Sequence, residues 1–279
     1  KNYELWVIDS LVNSTVHALE RVKKLTTQSD NLYFFKGDLR DIEFIRDVFK
    51  KANNSVLPIS GVIHFAGLKA VGESIFEPIK YWDTNVNGTI NLLNVMNEYN
   101  CRTIVFSSSA TIYGVKDNNP IKESEEMVSI NPYGTTKIAI EKFLDDIYHS
   151  SPNEWSISSL RYFNPIGAHP SGLIGEDPLG KPRNIFPIIL QTAIGKNRNF
   201  QIYGNDWPTS DGTAIRDYIH ILDLAQGHIL ALEYLLKSDN QIININLGTG
   251  KGTSVLELVN TFERVNNVKI PVEFANRRI

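Results

Sequence analysis

Cysteine is almost absent from the sequence, since Cys101 is the only one among 279 residues. A single thiol excludes an internal disulfide and a zinc site built from cysteines. No apolar run approaches the roughly 18 residues that a membrane span needs, and the segment from Lys1 to Leu5 does not have the features of a secretory signal peptide. We therefore expect a protein of the reducing cytoplasm that does not interact with a membrane.

The sequence also lacks an excess of charge of either sign. It has 28 Lys and Arg against 31 Asp and Glu, which gives a net charge of −3. Such a balance argues against a protein that binds nucleic acid through bulk positive charge. His169 and His220 stand without a cluster of further ligands, so no metal site is predicted.

What is present is a regular alternation of short apolar segments and amphipathic stretches over the first 165 residues. Five segments have the length and composition of strands: Tyr3 to Asp9, Leu32 to Asp38, Gly61 to Ala66, Arg102 to Ser107 and Trp155 to Phe163. Apolar residues at helical spacing lie between them, as at Ile140, Phe143, Leu144 and Ile147. This order predicts a doubly wound α/β domain with a parallel sheet of the Rossmann type.

The pattern changes after Pro165, where Gly, Pro and Asn crowd residues 167–183. Helices are predicted from about Phe186, Leu222 and Thr253, and strands at Phe200–Tyr203, Ile242–Leu247 and Ile270–Phe274. We therefore predict one domain over residues 1–165 and a smaller α/β domain over residues 166–279, with segments of the latter returning to the first.

The residues that end the predicted strands are candidates for ligand binding, because the carboxyl ends of parallel strands form the binding edge of such a sheet. Asp9 could hold ribose hydroxyls or cap a helix, and Asp38 could bind an adenine or serve a turn. Ala66 and Gly67 would let the backbone approach a ligand closely, because neither side chain is in the way.

The glycine fingerprint that should precede Asp9 in a dinucleotide fold is not in the sequence, which begins at what looks like a second strand. A glycine-rich loop occurs late, at Gly248–Gly252. It fails the P-loop pattern because Lys251 is followed by glycine and not by Ser or Thr. The loop could contact phosphate or form a tight turn, and both readings remain open at this point.

The most informative spacing is Tyr133-x-x-x-Lys137 at the start of a predicted helix. Four residues place both side chains on one face, one turn apart. A neighbouring ammonium, helped by the positive charge of a nicotinamide, favours the phenolate, so Tyr133 could act as a base near neutral pH. Ser109 follows the fourth predicted strand and could donate a hydrogen bond to a substrate oxygen while Tyr133 takes its proton. A strand, a serine and then Tyr-x-x-x-Lys on the next helix is a far more specific pattern than any of the three alone.

These residues and several longer motifs resemble the UDP-galactose 4-epimerases, which are NAD-dependent members of the extended short-chain dehydrogenase/reductase family. The matching motifs are HFAGLKAVGES from His64, SSSATIYG from Ser107, NPYGTTK from Asn131, LRYFNPIGAHPSG from Leu160, GEDPLG from Gly175 and DGTAIRDYIH from Asp211. They span nearly the whole chain. The resemblance implies C4 epimerisation of UDP-galactose and UDP-glucose through a 4-keto sugar, with NAD tightly bound and reduced only transiently.

The resemblance also implies roles for individual residues. In catalysis, Tyr133 would be the general base, Lys137 would tune it and hold the nicotinamide ribose, and Ser109 would assist proton transfer. The residues implied to line the cofactor, besides Tyr133 and Lys137, are Asp9, Asn13, Ser14, Asp38, Leu39, Phe65, Ala66, Gly67, Lys69, Asn85 and Phe163. The residues implied to bind the UDP-sugar, besides Ser109 and Tyr133, are Lys69, Asn164, Asn184, Ile185, Tyr203, Arg216 and Arg277. Residues 1–165 would thus bind NAD, and residues 166–279 would mainly bind the UDP-sugar.

A homodimer is a further implication, with the predicted helices from about Glu73 to Asn100 and from Pro132 to Ser150 pairing across a two-fold axis. An apolar surplus supports it, because these helices carry more apolar residues than one buried stripe needs. The surplus consists of Leu92, Met96, Ile140, Phe143 and Ile147.

Two alternatives to an epimerase remain. One is another NAD-dependent nucleotide-sugar enzyme of the same fold, a 4,6-dehydratase or a decarboxylase. The other is a non-catalytic fragment that only binds nucleotide sugars. The resembled family has a first strand and a GxxGxxG loop ahead of the position of Lys1, and further uridine-diphosphate contacts after that of Ile279. We therefore expect these 279 residues alone to aggregate or to purify without nucleotide.

Overall fold

The structure is a computed structural model that describes residues 3–55, 57–116, 119–180 and 182–277. Residues up to Tyr162 together with Leu224–Leu247 form one compact unit, which we call unit 1. Residues Phe163–Asp223 together with those from Gly248 onward form a second, which we call unit 2. The chain thus crosses from one unit to the other more than once.

In chain order, the described residues form the strands β1 (Leu5–Asp9), β2 (Leu32–Lys36), β3 (Val62–His64), β4 (Thr103–Ser109), β5 (Ser156–Tyr162), β6 (Asn164–Ile166), β7 (Phe200–Tyr203), β8 (Ile215–His220), β9 (Ile242–Leu247), β10 (Gly252–Ser254) and β11 (Val272–Ala275). The α-helices are α1 (His17–Leu25), α2 (Ile42–Asn53), α3 (Val71–Phe76), α4 (Pro78–Tyr81), α5 (Gly88–Glu98), α6 (Pro132–Ser150), α7 (Ile185–Ala193), α8 (Ile221–Leu235) and α9 (Val255–Asn266).

All strand pairs of unit 1 are parallel, which confirms the predicted fold class. They form two sheets, one of β1 and β2 and one in the order β3-β4-β5-β9. β4 and β5 are almost wholly buried along their length, as expected for strands covered by helices on both faces. A core of α2, α5 and α6 side chains packs on them, with Ile45, Met96, Ile104, Leu144 and Ile157 fully buried.

Unit 2 contains a three-stranded sheet in the order β10-β8-β6 and a parallel pair of β7 with β11. Its core is a smaller cluster, in which Ile189 of α7 and Val259 of α9 pack with Phe200 and Ile202 of β7 and with Ile270. α9 begins after Ser254, whose hydroxyl accepts a hydrogen bond from the Glu257 amide at 3.0 Å. This is a standard N-cap.

The predicted helix from about Glu73 to Asn100 is wrong, because it breaks at Glu77. Proline has no amide hydrogen and disfavours helical backbone in the residue before it. Accordingly Glu77 has φ −125° and ψ 49°, between α3 and Pro78 at the start of α4. A π-helical turn, Trp82–Asn87, then links α4 to α5.

Part of the apolar surplus proposed for a dimer is buried within unit 1. Leu92, Met96 and Ile140 are at most 4% exposed, whereas Phe143 and Ile147 pack against the same core and are only partly buried. Leu92, Met96 and Ile140 are therefore not accessible to a second subunit.

Three short strands, β6, β8 and β10, had no counterpart in the sequence-based prediction, and residues 252–254 form β10 where the start of a helix was expected. Short strands of three to six residues have little hydrophobic periodicity of their own, so pairing with neighbours decides them. Within the described residues, no helix has the length and apolar character that crossing a bilayer requires. The described residues also contain no group of three or more His, Cys, Asp or Glu side chains suited to a metal ion.

Candidate active site

The carboxyl ends of β3, β4 and β5 lie side by side in unit 1, because His64 pairs with Phe106 and Ser109 pairs with Tyr162 in register. α6 begins beside them. The Asn131 side chain accepts a hydrogen bond from the Gly134 amide at 2.9 Å, and Pro132 occupies the first turn. Both features favour a helix start at this point, and they place Tyr133 in the first turn of α6.

The structure brings the three predicted catalytic residues together. Tyr133 and Lys137 are 6% and 5% exposed and lie one turn apart on the buried face of α6. The Lys137 ammonium donates to the Ser107 carbonyl at 2.8 Å. The Ser109 hydroxyl is a hydrogen-bond partner of the Tyr133 phenol and accepts from the Thr111 amide at 3.2 Å. The end of β4 thus holds both residues of the Tyr-x-x-x-Lys pair.

Burial raises the pKa of the Tyr133 phenol above its ordinary value, and the nearby Tyr162 and Tyr81 add to the increase. The hydrogen bond from Ser109 lowers the pKa but does not offset burial. The Lys137 nitrogen bonds to the Ser107 carbonyl and lies 5.8 Å from the centroid of the Tyr133 ring. These residues alone favour the protonated phenol at neutral pH. The phenolate form, which also counts on the positive charge of a nicotinamide, stays a prediction.

Burial shifts the pKa of Lys137 in the opposite direction to that of Tyr133. Burial lowers the pKa of the ammonium to about 8, although the negative charge of Glu141 favours the protonated form. His64 lies behind the pair, 3% exposed, with Nε2 2.8 Å from the Thr89 hydroxyl. Burial and the charge of Lys137 lower the pKa of His64 to about 3, so this imidazole is neutral.

The two candidate carboxylates for the cofactor end neighbouring strands, as the register of β1 with β2 requires. Asp9 is exposed and accepts from the Leu11 amide at 2.6 Å and from the Ser14 hydroxyl at 3.0 Å. Asp38 binds the Arg40 guanidinium at 2.8 Å, and this hydrogen bond holds the pKa of Asp38 below its usual range. Both carboxylates thus order their own loops and remain accessible to a ligand. Asn13 is exposed in the same loop as Asp9, and Leu39 packs against the core.

The loop after β3 exposes backbone and ring surface at the same edge. Phe65 is 58% exposed, and its ring lies 4.6 Å from that of His228. Gly67 has φ +153°, which favours glycine. Ala66 and Lys69 are exposed on either side of it.

Asn85, which the resemblance implied to line the cofactor, is buried against this loop. It is 1% exposed, accepts from the Leu68 amide at 2.7 Å and donates to the Leu68 carbonyl at 3.0 Å. A further bond reaches the Thr136 hydroxyl at 3.2 Å. Asn85 therefore ties the loop after β3 to α6.

The predicted substrate residues of unit 2 lie on several of its elements. The Asn164 amide donates to the Asp217 carbonyl at 3.1 Å, and Arg216 is exposed on β8 next to Asp217. Arg277 binds Asp206 at 2.8 Å and stacks over the Trp207 ring at 4.1 Å. The remaining members also have defined positions: Asn184 donates to Glu176, Ile185 begins α7 and Tyr203 ends β7. Phe163, which was predicted to line the cofactor, precedes β6.

The glycine-rich loop 248–252 binds a carboxylate of the protein itself. Asp217 accepts from the amide and the hydroxyl of Thr249 at 2.9 and 2.7 Å, and from the Gly250 amide at 2.8 Å. Gly250 has φ +70°, as in a tight turn. The amides that could hold a phosphate are thus occupied by Asp217, which favours the tight-turn reading.

Sequence reasoning missed Asp217 and the buried pair of Glu141 with Arg161. A signal existed for the pair, since Glu141 continues the spacing of Tyr133 and Lys137 by four more residues. Arg161 is likewise a charged residue inside a strand that is otherwise apolar or small.

Comparison with known proteins agrees with this geometry. Residues 1–246 match the model of the NAD dependent epimerase/dehydratase family. A UDP-glucose 4-epimerase of Bacillus subtilis is 51% identical over 276 residues, which cover 99% of this chain and 79% of that protein. UDP-glucose 4-epimerase 4 of Oryza sativa is 50% identical over 277 residues, covering 99% of this chain and 73% of that protein.

Two solved structures are similar over 99% of this chain and 80% of theirs. One is a UDP-glucose 4-epimerase from Stenotrophomonas maltophila with bound NAD and formylated UDP-arabinopyranose, with a TM-score of 0.93 at 41% identity. The other is from Bifidobacterium longum, in complex with NAD+ and UDP, with a TM-score of 0.92 at 43% identity.

Proposed function

Because the chain belongs to the NAD dependent epimerase/dehydratase family, we propose that it interconverts UDP-galactose and UDP-glucose by inverting C4 of the hexose. The observation that carries this proposal is the convergence of Ser109, Tyr133 and Lys137 at the carboxyl end of β4. The relatives that match nearly the whole chain bear the names of UDP-glucose 4-epimerases, which supports the choice of substrate.

Tyr133, as the phenolate, is the group that removes the proton from the C4 hydroxyl and later returns it, which produces a 4-keto sugar in between. NAD, when bound, supplies the chemistry of accepting and returning the C4 hydride. Ser109 shares a hydrogen bond with Tyr133 and passes the proton between the phenolate and the sugar oxygen. Lys137 keeps a positive charge next to Tyr133, which favours loss of the phenol proton before the substrate proton is taken.

The hydrogen-bonding groups and the accessible backbone of unit 1 are of the kind that binds a dinucleotide. The exposed carboxylate of Asp9 and the half-buried carboxylate of Asp38 suit the hydroxyl and amino donors of an adenosine, and the bend at Gly67 leaves backbone accessible beside Phe65 and Ala66. Asn13, Ser14, Leu39 and Lys69 complete the proposed cofactor set of unit 1, with Asn85 acting through the loop that it holds. Unit 1 is therefore proposed to bind most of the NAD. Phe163, the first residue of unit 2, is the one further member of the set.

Unit 2 is proposed to bind the UDP-sugar. The guanidinium groups of Arg216 and Arg277 suit the pyrophosphate oxygens, since their planar forks match two oxygens at once. Asn164, Asn184, Ile185 and Tyr203 are the further contacts of the nucleotide sugar in this proposal. Inversion at C4 needs the nucleotide held firmly and the sugar loosely, so that either face of C4 can be presented.

We further propose a cytoplasmic enzyme that acts as a homodimer. The one thiol, Cys101, is buried, and burial raises its pKa to about 12, so it is an unreactive thiol that needs no oxidising compartment. Support for the dimer comes from exposed apolar side chains around α4. Phe76, Ile79 and Ile130 are 85%, 84% and 72% exposed.

A dehydratase or decarboxylase on the same fold is less well supported. Dehydration needs an acid near the sugar, and the positions after Ser109 are Ala110 and Thr111. A purely binding protein would not need a buried Tyr-Lys pair. Near-ultraviolet absorbance of the purified protein, before and after borohydride, separates an NAD-loaded enzyme from a protein that only binds nucleotide sugars, because only bound NAD gives the band of the reduced cofactor. The dehydratase and the decarboxylase are separated from the epimerase by the sugar product that each forms.

Replacement of Tyr133 by phenylalanine tests the proposal. Tyr133→Phe should reduce the kcat for UDP-galactose by ~10²–10⁴-fold, the usual contribution of a general acid–base group. The Kd for UDP-galactose should stay within a few-fold. Tyr148→Phe, the same chemical change on the same helix, is the matched control and should retain full turnover. A Tyr133→Phe enzyme that keeps more than half of the wild-type rate would reject the assignment.

A further inference from the structure

The buried face of α6 carries a third titratable residue after Tyr133 and Lys137. Glu141 lies one turn beyond Lys137 and forms an ion pair with Arg161, and both side chains are 4% exposed. The guanidinium reaches Glu141 with Nη2 to Oε2 at 2.6 Å and with Nε to both oxygens at 3.2 and 3.1 Å. The Ser108 hydroxyl also donates to Glu141. This carboxylate is thus held from two strands.

The Arg161 guanidinium has further hydrogen-bond partners besides Glu141. Its Nη1 donates to the Tyr113 hydroxyl at 2.9 Å and to the Glu123 carbonyl at 2.8 Å. The Tyr113 hydroxyl in turn donates to Asn246 at 2.7 Å. Arg161 stands opposite Ser108 in the register of β5 with β4. The ion pair therefore joins α6 to the two strands that end at the catalytic residues.

The three consecutive serines at the end of β4 each contact one member of this face. The Ser109 hydroxyl bonds to Tyr133, the Ser107 carbonyl accepts from Lys137, and the Ser108 hydroxyl donates to Glu141. Stability alone does not explain this arrangement. A buried ion pair often contributes no more to stability than a well-packed apolar pair, because desolvation offsets the attraction.

The charges around Lys137 give the ion pair of Glu141 and Arg161 a second, electrostatic role. The titratable groups near it are Tyr133 and Glu141 of α6, His64 of β3, and Tyr162 and Arg161 of β5. His64 is neutral because its pKa is about 3, and burial raises the pKa values of both tyrosines. Glu141 is the anion of this group, and Arg161 is its counter-ion.

We propose that Glu141 is a positioning residue of the enzyme. Together with Arg161, it holds the serine end of β4 in place and keeps Lys137 in the ammonium form beside Tyr133. Its effect on the reaction rests on the function proposed above, whereas its effect on Lys137 does not.

A titration of Lys137 tests the proposal without any assay of activity. The ¹³Cε signal of Lys137 would be followed against pH in lysine-labelled protein, with the assignment made from a Lys137→Arg variant. In Glu141→Gln the titration midpoint should fall from near the wild-type value of about 8 by about one pH unit, since an opposite charge nearby has been removed. Glu141→Asp keeps the charge and is the matched control, with a midpoint close to that of the wild type.

Glu141→Gln leaves Arg161 buried without its partner and could unfold the protein. Glu141→Gln with Arg161→Met removes both charges and keeps the site filled, so it provides a folded variant for the same titration. Because the positive charge of Arg161 is lost together with the negative charge of Glu141, its midpoint should lie between those of Glu141→Gln and the wild type. If Lys137 titrates at the same pH in Glu141→Gln, or in the double variant where the single variant does not fold, as in Glu141→Asp, the proposed influence on Lys137 is wrong.

The kinetic result is expected to follow the titration. The alkaline limb of kcat against pH should move to lower pH in the Gln variants by the same amount, while KM stays within about two-fold. A role limited to folding would lower the amount of active enzyme at every pH without moving the limb. Absence of epimerase activity in the wild type would reject the proposed function, whereas the titration of Lys137 would still decide the role of Glu141.

Discussion

Burial keeps the phenol of Tyr133 protonated at neutral pH and lowers the pKa of Lys137 to about 8. Burial thus makes the Tyr133 phenol a weaker acid than it is in water, and it makes the Lys137 ammonium easier to deprotonate. Any positive charge that a ligand brings near Tyr133 would favour the phenolate. The activity of Tyr133 and Lys137 therefore depends on the charge of a bound ligand and on the charge of the neighbouring residues.

Asp9 offers a test of cofactor choice at the scale of one residue. If its exposed carboxylate meets the adenosine ribose, the 2′-phosphate of NADP would be repelled. We expect the wild type to bind NAD at least ~10-fold more tightly than NADP, the ratio that corresponds to about 1.4 kcal/mol. Asp9→Asn should narrow this ratio, and calorimetric titration of both cofactors measures it.

Asp47→Asn is the control for this comparison, because Asp47 lies on α2, away from the loop of Asp9, and the change in net charge is the same. Equal affinity of the wild type for NAD and NADP would mean that Asp9 only orders its loop through Leu11 and Ser14.

Among the elements, the glycine-rich loop 248–252 shows how one carboxylate can organise a segment of chain. Asp217 of β8 accepts three hydrogen bonds from the loop, which leads directly into β10. β10 pairs antiparallel with β8, where Arg216 stands opposite Thr253. The position of Arg216 therefore depends on the turn that Asp217 holds.

Replacement of Asp217 by asparagine should disturb this turn. The amide would place a donor against the Gly250 amide, so that one hydrogen bond is lost and another donor is left unpaired. We expect a loss of ~1.5–3 kcal/mol in the free energy of unfolding, the range for hydrogen bonds to charged groups. UDP binding should weaken several-fold through Arg216.

Urea denaturation and titration with UDP measure the two effects of Asp217→Asn. Asp239→Asn, at an exposed aspartate of unit 1, should change neither quantity. An unchanged denaturation midpoint in Asp217→Asn would show that the loop forms without this carboxylate.

At the scale of the whole molecule, exposed apolar side chains indicate which surface would carry a dimer contact. Of the apolar residues first proposed for it, Leu92, Met96 and Ile140 are buried in the core of unit 1, and Phe143 and Ile147 are partly buried. More exposed apolar residues are Phe76 and Ile79 on either side of the break at Glu77, together with Ile130 before α6. A depression lined by Pro78, Trp82 and Ile130 lies in the same surface. Apolar residues exposed this closely together are typical of protein interfaces.

A charged side chain introduced into this apolar surface should prevent two subunits from associating. We expect the wild type to have the mass of a dimer by light scattering at micromolar concentration, and Ile79→Glu to have the mass of a monomer. Val265→Glu introduces the same charge at a residue of α9 that is 70% exposed, and it should remain a dimer. A wild-type protein of monomer mass would reject the homodimer.

The alternation of apolar segments was enough to predict the parallel α/β architecture, because strands covered on both faces have short apolar runs whatever their neighbours are. The strands Phe200–Tyr203 and Ile242–Leu247 agree with the structure to the residue. The grouping of Ser109, Tyr133 and Lys137 could also be predicted, since a strand end and a helix start bring them together by local geometry. The resemblance to a known family added the residues that this geometry alone does not indicate.

Other features were decided only by tertiary contacts. The burial that raises the pKa of Tyr133 is decided by the folded chain, and no spacing in the sequence reports it. β6, β8 and β10 are strands because they pair with one another. Glu141 and Arg161 are 20 residues apart in the chain and form a pair only because α6 packs against β5. Composition and periodicity determine which segments are buried, whereas the partners that each buried polar group finds depend on the folded chain.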